Sequence, residues 1–226
     1  MSIGMRLQII FVATSFMGVA SAQAPATAPV TAPSTSDLRL VGDRFKPLTY
    51  AEMTPAQKTM TDHLLAGERR GLGGPFNVLL RSPEMGDLAA EFGASMRFHS
   101  SIPSKLNEMA IIITARYWTA QYEWNAHKRA ALQAGLNPAI VDAIAAGKRP
   151  ASLQPDEEAV YTFCTELLNT KQVSDATFAA AKKSVGERGV VDLIGVMGWY
   201  QMVSMALNVD RYPLGQGVQP ELKPLP

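Results

Sequence analysis

Between Lys105 and Leu136 the chain reads KLNEMAIIITARYWTAQYEWNAHKRAALQAGL, apolar on nearly every side in its first half and amphipathic in its second. Leu106, Met109, Ala110, Ile111, Ile112 and Ile113 predict a helix over about 104–117 that is buried on several sides. A second helix is expected over about 120–134, with Thr119 as N-cap and Gly135 just past its end. Upstream, Thr54-Pro55-Ala56-Gln57 has the order of an N-cap, a first-turn proline and a capping-box glutamine, opening a helix to about Arg69. A short apolar segment follows at 76–80, and Ser82-Pro83-Glu84 starts a helix to about Arg97, with Met85, Leu88, Ala89 and Phe92 on one face.

Downstream, Asn137-Pro138 caps a short helix to about Ala145. Pro155 opens another, whose first turn carries Asp156, Glu157 and Glu158 where the helix dipole favours negative charge. Ser174-Asp175 begins one to about Val185, glycines in 186–189 break it, and 190–208 reads as a long apolar helix. Asp192 and Gln201 would be costly in lipid, so that last helix is read as a core or subunit-interface helix rather than a membrane span. No segment alternates with period two, and the pattern predicts an all-α fold of about seven or eight helices in an orthogonal or bundle-like array.

The two ends change the picture of where folded structure lies. Residues 1–22 have one basic residue, Arg6, then an apolar run from Leu7 to Met17, then Ala20-Ser21-Ala22 before Gln23, the order of a cleaved secretory signal. Residues 23–37 are almost wholly Ala, Pro and Thr and predict an extended linker, which leaves 38–226 as the folded domain. The mature protein is thus expected in the periplasm or secreted, with no membrane association after cleavage. Cutting after Ala22 removes Arg6 and leaves 20 basic against 20 acidic residues, a neutral balance that argues against a nucleic-acid partner. Cys164 is the only cysteine and cannot close an intramolecular disulfide; in VYTFCTELL it reads as a small buried hydrophobe rather than a nucleophile.

Chemistry concentrates in the central pair of helices. Glu123 and His127 are four residues apart and share a helical face, which makes a carboxylate-oriented imidazole possible. Glu108 sits beside the apolar run, where an unpartnered carboxylate is expensive. It lies nineteen residues before His127, about 28 Å along one straight helix, so the three meet only if the chain bends near Trp118-Thr119. A bend is expected. The glycines of Arg70-Gly71-Leu72-Gly73-Gly74-Pro75 lack the Gly-Lys-Ser/Thr ending of a phosphate loop and are read as a turn in the wall of the site. Arg97 and His99 stand on the loop leading into the Glu108 helix, either near the site or on the plain surface.

These residues resemble the carboxymuconolactone decarboxylase superfamily, which includes the alkylhydroperoxidase D-like thiol peroxidases. The peroxidase branch has a Glu, a Cys-x-x-Cys some twelve residues later, and a His four after the second Cys; here those places hold Glu108, Ala120, Glu123 and His127. With both cysteines absent, the chain is similar to the cysteine-free, carboxymuconolactone decarboxylase-like branch. The resemblance runs from about Gly74 to Gly195. It implies an alkylhydroperoxidase D-like helical array, assembled as a homo-oligomer, a trimer or a multiple of one.

Three functions stay open on this reading. The first is a cofactor-free, metal-free lyase or isomerase acting on a small cyclic carboxylic acid or lactone, with His127 as proton donor, Glu123 fixing its tautomer and Glu108 a second proton carrier. Arg116, Trp118, Tyr122 and His99 are the candidate substrate-binding residues, Arg116 serving either as the cation for an anionic substrate or as an ion-pair partner of Glu108 or Glu123. An exported location fits poorly with the breakdown of a ring-cleavage product, ordinarily an intracellular task. The second function is a thiol peroxidase, which needs a thiolate and a resolving thiol that one cysteine does not supply. The third is a metal- or ligand-binding protein without catalysis, built on Glu108, Glu123 and His127.

Overall fold

The computed structural model describes residues 38–224, so the expected signal segment and the whole of the expected linker lie outside the described residues. Eight α-helices and a single 3-10 turn at Tyr50–Glu52 make up the regular structure, and no strand occurs among the described residues. The helices are α1 (Pro55–Ala66), α2 (Phe76–Leu79), α3 (Pro83–Phe98), α4 (Ser104–Tyr117), α5 (Gln121–Gln133), α6 (Pro138–Ala145), α7 (Pro155–Thr170) and α8 (Asp175–Asp210). The all-α array expected from the hydrophobic pattern is therefore present.

Helix α4 is the axis of the domain. Met109 to Ile112 and Ala115 have no exposed surface, and α5, α7 and α8 pack around them. A helix apolar on all sides must be surrounded on all sides, which is why the rest of the chain wraps this one. Helices α1 and α3 pair with each other, and α3 lies against α8. There Gly93 on α3 is required: a Cβ at that position would overlap the ring of Trp199 on α8.

Local signals behave largely as their chemistry directs. Thr54 and Gln57 form the capping box of α1, and the Gln57 side chain also donates to the Leu80 carbonyl at 2.8 Å, tying α1 to the end of α2. Asn137 caps α6 by accepting from the Ala139 N–H. The apolar segment at 76–80 is a single helical turn, and α1 stops at Ala66 rather than Arg69. The glycine break in α8 shrinks to one residue, Gly186, whose φ of 75° and ψ of 172° kink a helix that resumes at once. Helix α8 is long and apolar enough to cross a membrane, but half of its apolar window is buried inside the domain. Its Asp192 accepts hydrogen bonds from the Ser101 N–H and hydroxyl.

Thr119 departs from expectation. It is not a cap but a left-handed residue, φ 49°, between α4 and α5; Ala120 occupies the N-cap position and makes no side-chain cap. The joint is closed by backbone bonds, from Ala120 N–H to Ala115 O at 2.9 Å and from Trp118 N–H to Thr114 O at 3.2 Å. Outside it, the tail folds back as a strap. Gln121 donates to the Leu222 carbonyl and accepts from the N–H groups of Glu221 and Leu222, while Leu222 itself is buried.

Gly93→Ala tests the α3–α8 contact. The extra methyl should cost about 1–3 kcal/mol, the usual penalty of overpacking a close contact. Urea denaturation should show a lowered midpoint with the slope unchanged, and an unaltered midpoint would mean that Trp199 has room to move.

Candidate active site

Glu108 on α4 and Glu123 and His127 on α5 form one buried hydrogen-bonded trio. Glu108 Oε2 lies 2.7 Å from Nδ1 of His127, and Glu123 Oε1 lies 3.0 Å from Nε2. Both imidazole nitrogens thus face carboxylates, an arrangement satisfied best when both donate as the imidazolium. His127 is 3% exposed. Burial pulls its pKa down, but the charges and hydrogen bonds of Glu123 and Glu108 outweigh it and raise the pKa from 6.5 to about 9. The expected bend is what makes this possible: a separation of some 28 Å on a straight helix becomes hydrogen-bond contact.

Glu123 and His127 open onto a cavity of about 170 Å³, which Glu108 does not line. Its other walls are Gly73-Gly74-Pro75 from the α1–α2 loop, Arg69, Arg97 at the end of α3, Tyr122 and Ala126 on α5, and Trp199, Tyr200 and Val203 on α8. The Tyr200 ring meets His127 edge-on, centroids 4.8 Å apart. Burial foremost, and Glu123 next, push the Tyr200 phenol well above its ordinary pKa, so it is a neutral donor at any working pH. Tyr122 stacks against Tyr212 at 4.4 Å, and the Tyr212 hydroxyl accepts from the Gly74 N–H, which fixes the loop of the wall.

The residues expected to bind substrate divide sharply. Tyr122 lines the cavity, whereas Arg116, Trp118 and His99 do not. Arg116 is buried at the α4–α5 joint, donating to Thr119 Oγ1 and to the Lys223 carbonyl, and it borders a separate cleft with Lys148, Arg149 and Tyr161. Neither Glu108 nor Glu123 is its partner. Trp118 packs edge-on against Tyr117, and its carbonyl accepts from Asn208. His99 sits on the surface beside Glu68, Nε2 to Oε1 2.9 Å. Arg97 is on the cavity side of its two readings. Arg69, Trp199 and Tyr200 carried no local signal, since each reaches the cavity through the packing of helices distant in sequence.

Other chemistry is constrained by the same geometry. The two carboxylates approach opposite edges of one imidazole and so do not converge on a common point, which is what a metal ion needs. Cys164 is fully buried in α7, and burial pushes its thiol up to about 12, far from the thiolate a peroxidase requires.

Comparison with known families adds one finding: residues 83–166, which span α3 to most of α7 and contain Glu108, Glu123 and His127, match the Carboxymuconolactone decarboxylase family. No curated protein matches the chain.

The trio makes a measurable pH signature. Because the folded pKa of His127 lies above 6.5, the native state holds this proton more tightly than the unfolded chain. Its contribution to stability is complete below about pH 6.5 and is lost as pH rises through about 9. An NMR titration should find His127 still charged at pH 8, and the urea midpoint should fall between pH 6.5 and 9, with a smaller fall in His127→Gln. A ring titrating near its solvent value would contradict the paired geometry.

Proposed function

With residues 83–166 belonging to the carboxymuconolactone decarboxylase family as premise, we propose that the chain is a lyase or isomerase that moves a proton on a small cyclic carboxylic acid or lactone without a nucleophilic intermediate. The observation that carries this reading is the buried imidazolium clamped at both nitrogens, a proton reservoir with no thiol or serine beside it in the cavity wall. In the lyase form, the bond from ring carbon to carboxylate breaks, carbon dioxide leaves, and the electron pair remains as a dienolate conjugated to the lactone carbonyl. A proton must then reach carbon.

Both nitrogens of His127 are taken, so the proton leaves through Glu123, the carboxylate that shares the cavity wall with the ring. His127 passes its Nε2 proton to the Glu123 carboxylate, and Glu123 delivers that same proton to the substrate carbon, ending again as a carboxylate beside a neutral imidazole that Glu108 holds from Nδ1. This refines the simpler expectation that His127 protonates the substrate directly. In the isomerase form the same pair removes a proton from one carbon and returns it to another. The cavity, at about 170 Å³, is below the ~300 Å³ where drug-sized sites begin, which suits a single small ring.

Assembly belongs to the same proposal. Leu88 and Phe92 on α3 and Val191 and Ile194 on α8 leave a large apolar patch exposed, and Gly198 on α8 has open space above it where another helix fits closely. A second copy of the chain is its occupant. Light scattering should show an oligomer, and Leu88→Lys combined with Ile194→Lys should shift it toward monomer; a monomeric wild-type protein would remove this part of the reading. Export follows from the leader pattern, and N-terminal sequencing that finds Gln23 first would support it.

Turnover provides the main test. In a screen of small cyclic acids and lactones, Glu123→Gln should lower the rate on the order of a hundred- to ten-thousandfold, with His127→Gln at least as severe, while circular dichroism stays helical. Cys164→Ser should change nothing, peroxide reduction included. Full activity in both trio variants, or peroxide turnover lost in Cys164→Ser, would defeat the proposal.

A further inference from the structure

The cavity that Glu123 and His127 share carries more positive charge and more unmet hydrogen-bonding capacity than the fold needs. Arg69 and Arg97 both line the cavity and both stack on the Phe98 ring, their guanidinium carbons 5.9 and 5.5 Å from its centre. Arg69 also covers the Phe76 ring at 4.9 Å. Among the described residues neither guanidinium forms an ion pair; burial first, and Arg97 next, lower the Arg69 pKa. Nε and Nη2 of Arg69 are buried without a hydrogen-bond partner, and so is the hydroxyl of Tyr200, a residue only 2% exposed. Buried donors left unmet are costly, so three at one cavity mark a place where acceptor atoms belong.

We propose that Arg69, Arg97 and Tyr200 form a carboxylate-binding subsite that orients the substrate against Glu123 and His127, and that this wall selects singly charged oxyanions over neutral rings of the same shape. The proposal rests on the proton-transfer reading only for its orientation; the binding itself stands on the wall. Charge supports it: with both carboxylates of the trio ionised, the imidazolium and two guanidiniums leave one positive charge, which one bound carboxylate neutralises. A guanidinium fork offers two parallel N–H donors that match a carboxylate, and the neutral Tyr200 phenol adds a third. In the lyase form, the carboxylate held here is one that persists. Clamping the one that departs would stabilise the ground state against losing it.

The subsite draws on both the matched segment and its flanks. Arg97, like Glu108, Glu123 and His127, falls within 83–166, whereas Arg69 comes from the segment after α1 and Tyr200 from α8, on either side of it.

Furan-2-carboxylate and its neutral isostere furan-2-carboxamide provide the test, by isothermal titration calorimetry on the full folded protein. The acid should bind and the amide should bind at least tenfold more weakly. Arg97→Gln and Arg69→Gln should each weaken the acid about tenfold or more with little effect on the amide, Tyr200→Phe should weaken it severalfold, and Arg69→Lys should recover part of the loss. Arg97 is exposed, so its variant keeps the test valid if Arg69→Gln perturbs packing on Phe76. Equal binding of acid and amide, no binding of the acid at ~50 mM, weaker than any specific site, or unchanged affinity in both arginine variants would overturn the proposal. Acid binding that survives in His127→Gln while turnover is indifferent to that substitution would defeat the proton-transfer reading and leave the subsite standing; the reverse pattern would do the opposite.

Discussion

A charged imidazole with almost no exposure is tolerable only when its charge is met at close range, and here that requirement shapes the domain. Neither carboxylate is sufficient alone. Glu123, one turn earlier on α5, reaches one nitrogen, but the other can be met only from a different element. The partner is Glu108 on α4, so the chain must reverse between them within the few residues after Tyr117. Replacing either acid by an apolar group would leave a buried cation half-paired, an outcome that costs on the order of 3–5 kcal/mol. Thr119 absorbs the reversal in a left-handed conformation that a non-glycine residue adopts at a cost, and the close Ala120–Ala115 backbone bond holds it there.

Much of this was readable from residue spacing, because it depends on local periodicity. The Glu123–His127 pair follows from one helical turn, and the bend follows from the expense of leaving Glu108 unpartnered in an apolar run. Thr119 is of a residue type that suits both an N-cap and a turn, and only its backbone angle, φ 49°, distinguishes them. Arg116 and Trp118 lie between Glu108 and His127 in sequence, which is what suggests a place for them at the site. Helical rise explains why they do not reach it. Glu108 is two turns, about 12 Å, before Arg116, and His127 is a similar distance beyond the joint, so the site lies well away from the bend that creates it.

Arg69, Trp199 and Tyr200 show the complementary limit. Their place at the cavity depends on how α3, α8 and the segment after α1 meet around α4, and nothing in their own neighbourhoods records that meeting. Tyr200 stands in an apolar run that reads correctly as buried, yet the pattern is silent on its hydroxyl being left without a partner. The glycine-rich loop was legible as wall only because its proline and glycines exclude regular structure. Packing between distant segments thus supplies Arg69, Trp199 and Tyr200 to the cavity, while local spacing supplies Glu123 and His127.

Arg116 has a different use, and it connects the tail of the chain to the site. Its guanidinium is buried at the joint, where it bonds Thr119 and the carbonyl of Lys223, so it clasps the bend from within and the strap from without. The strap is further held by Gln121, by Trp124 donating to Glu221, and by Lys128 pairing with the same carboxylate at 2.6 Å. Gln121, Trp124 and Lys128 lie on the first turns of α5, the turns that carry Glu123 and His127. The first turns of a helix are where its own backbone bonds are fewest and fraying is easiest. Here a cap is missing from the end of the helix that must hold its side chains still, and the strap supplies from the far end of the chain the restraint that Ala120 cannot. Precision at His127 is therefore a property of the closed loop from Arg116 through α5 to Lys223, rather than of the helix that bears it.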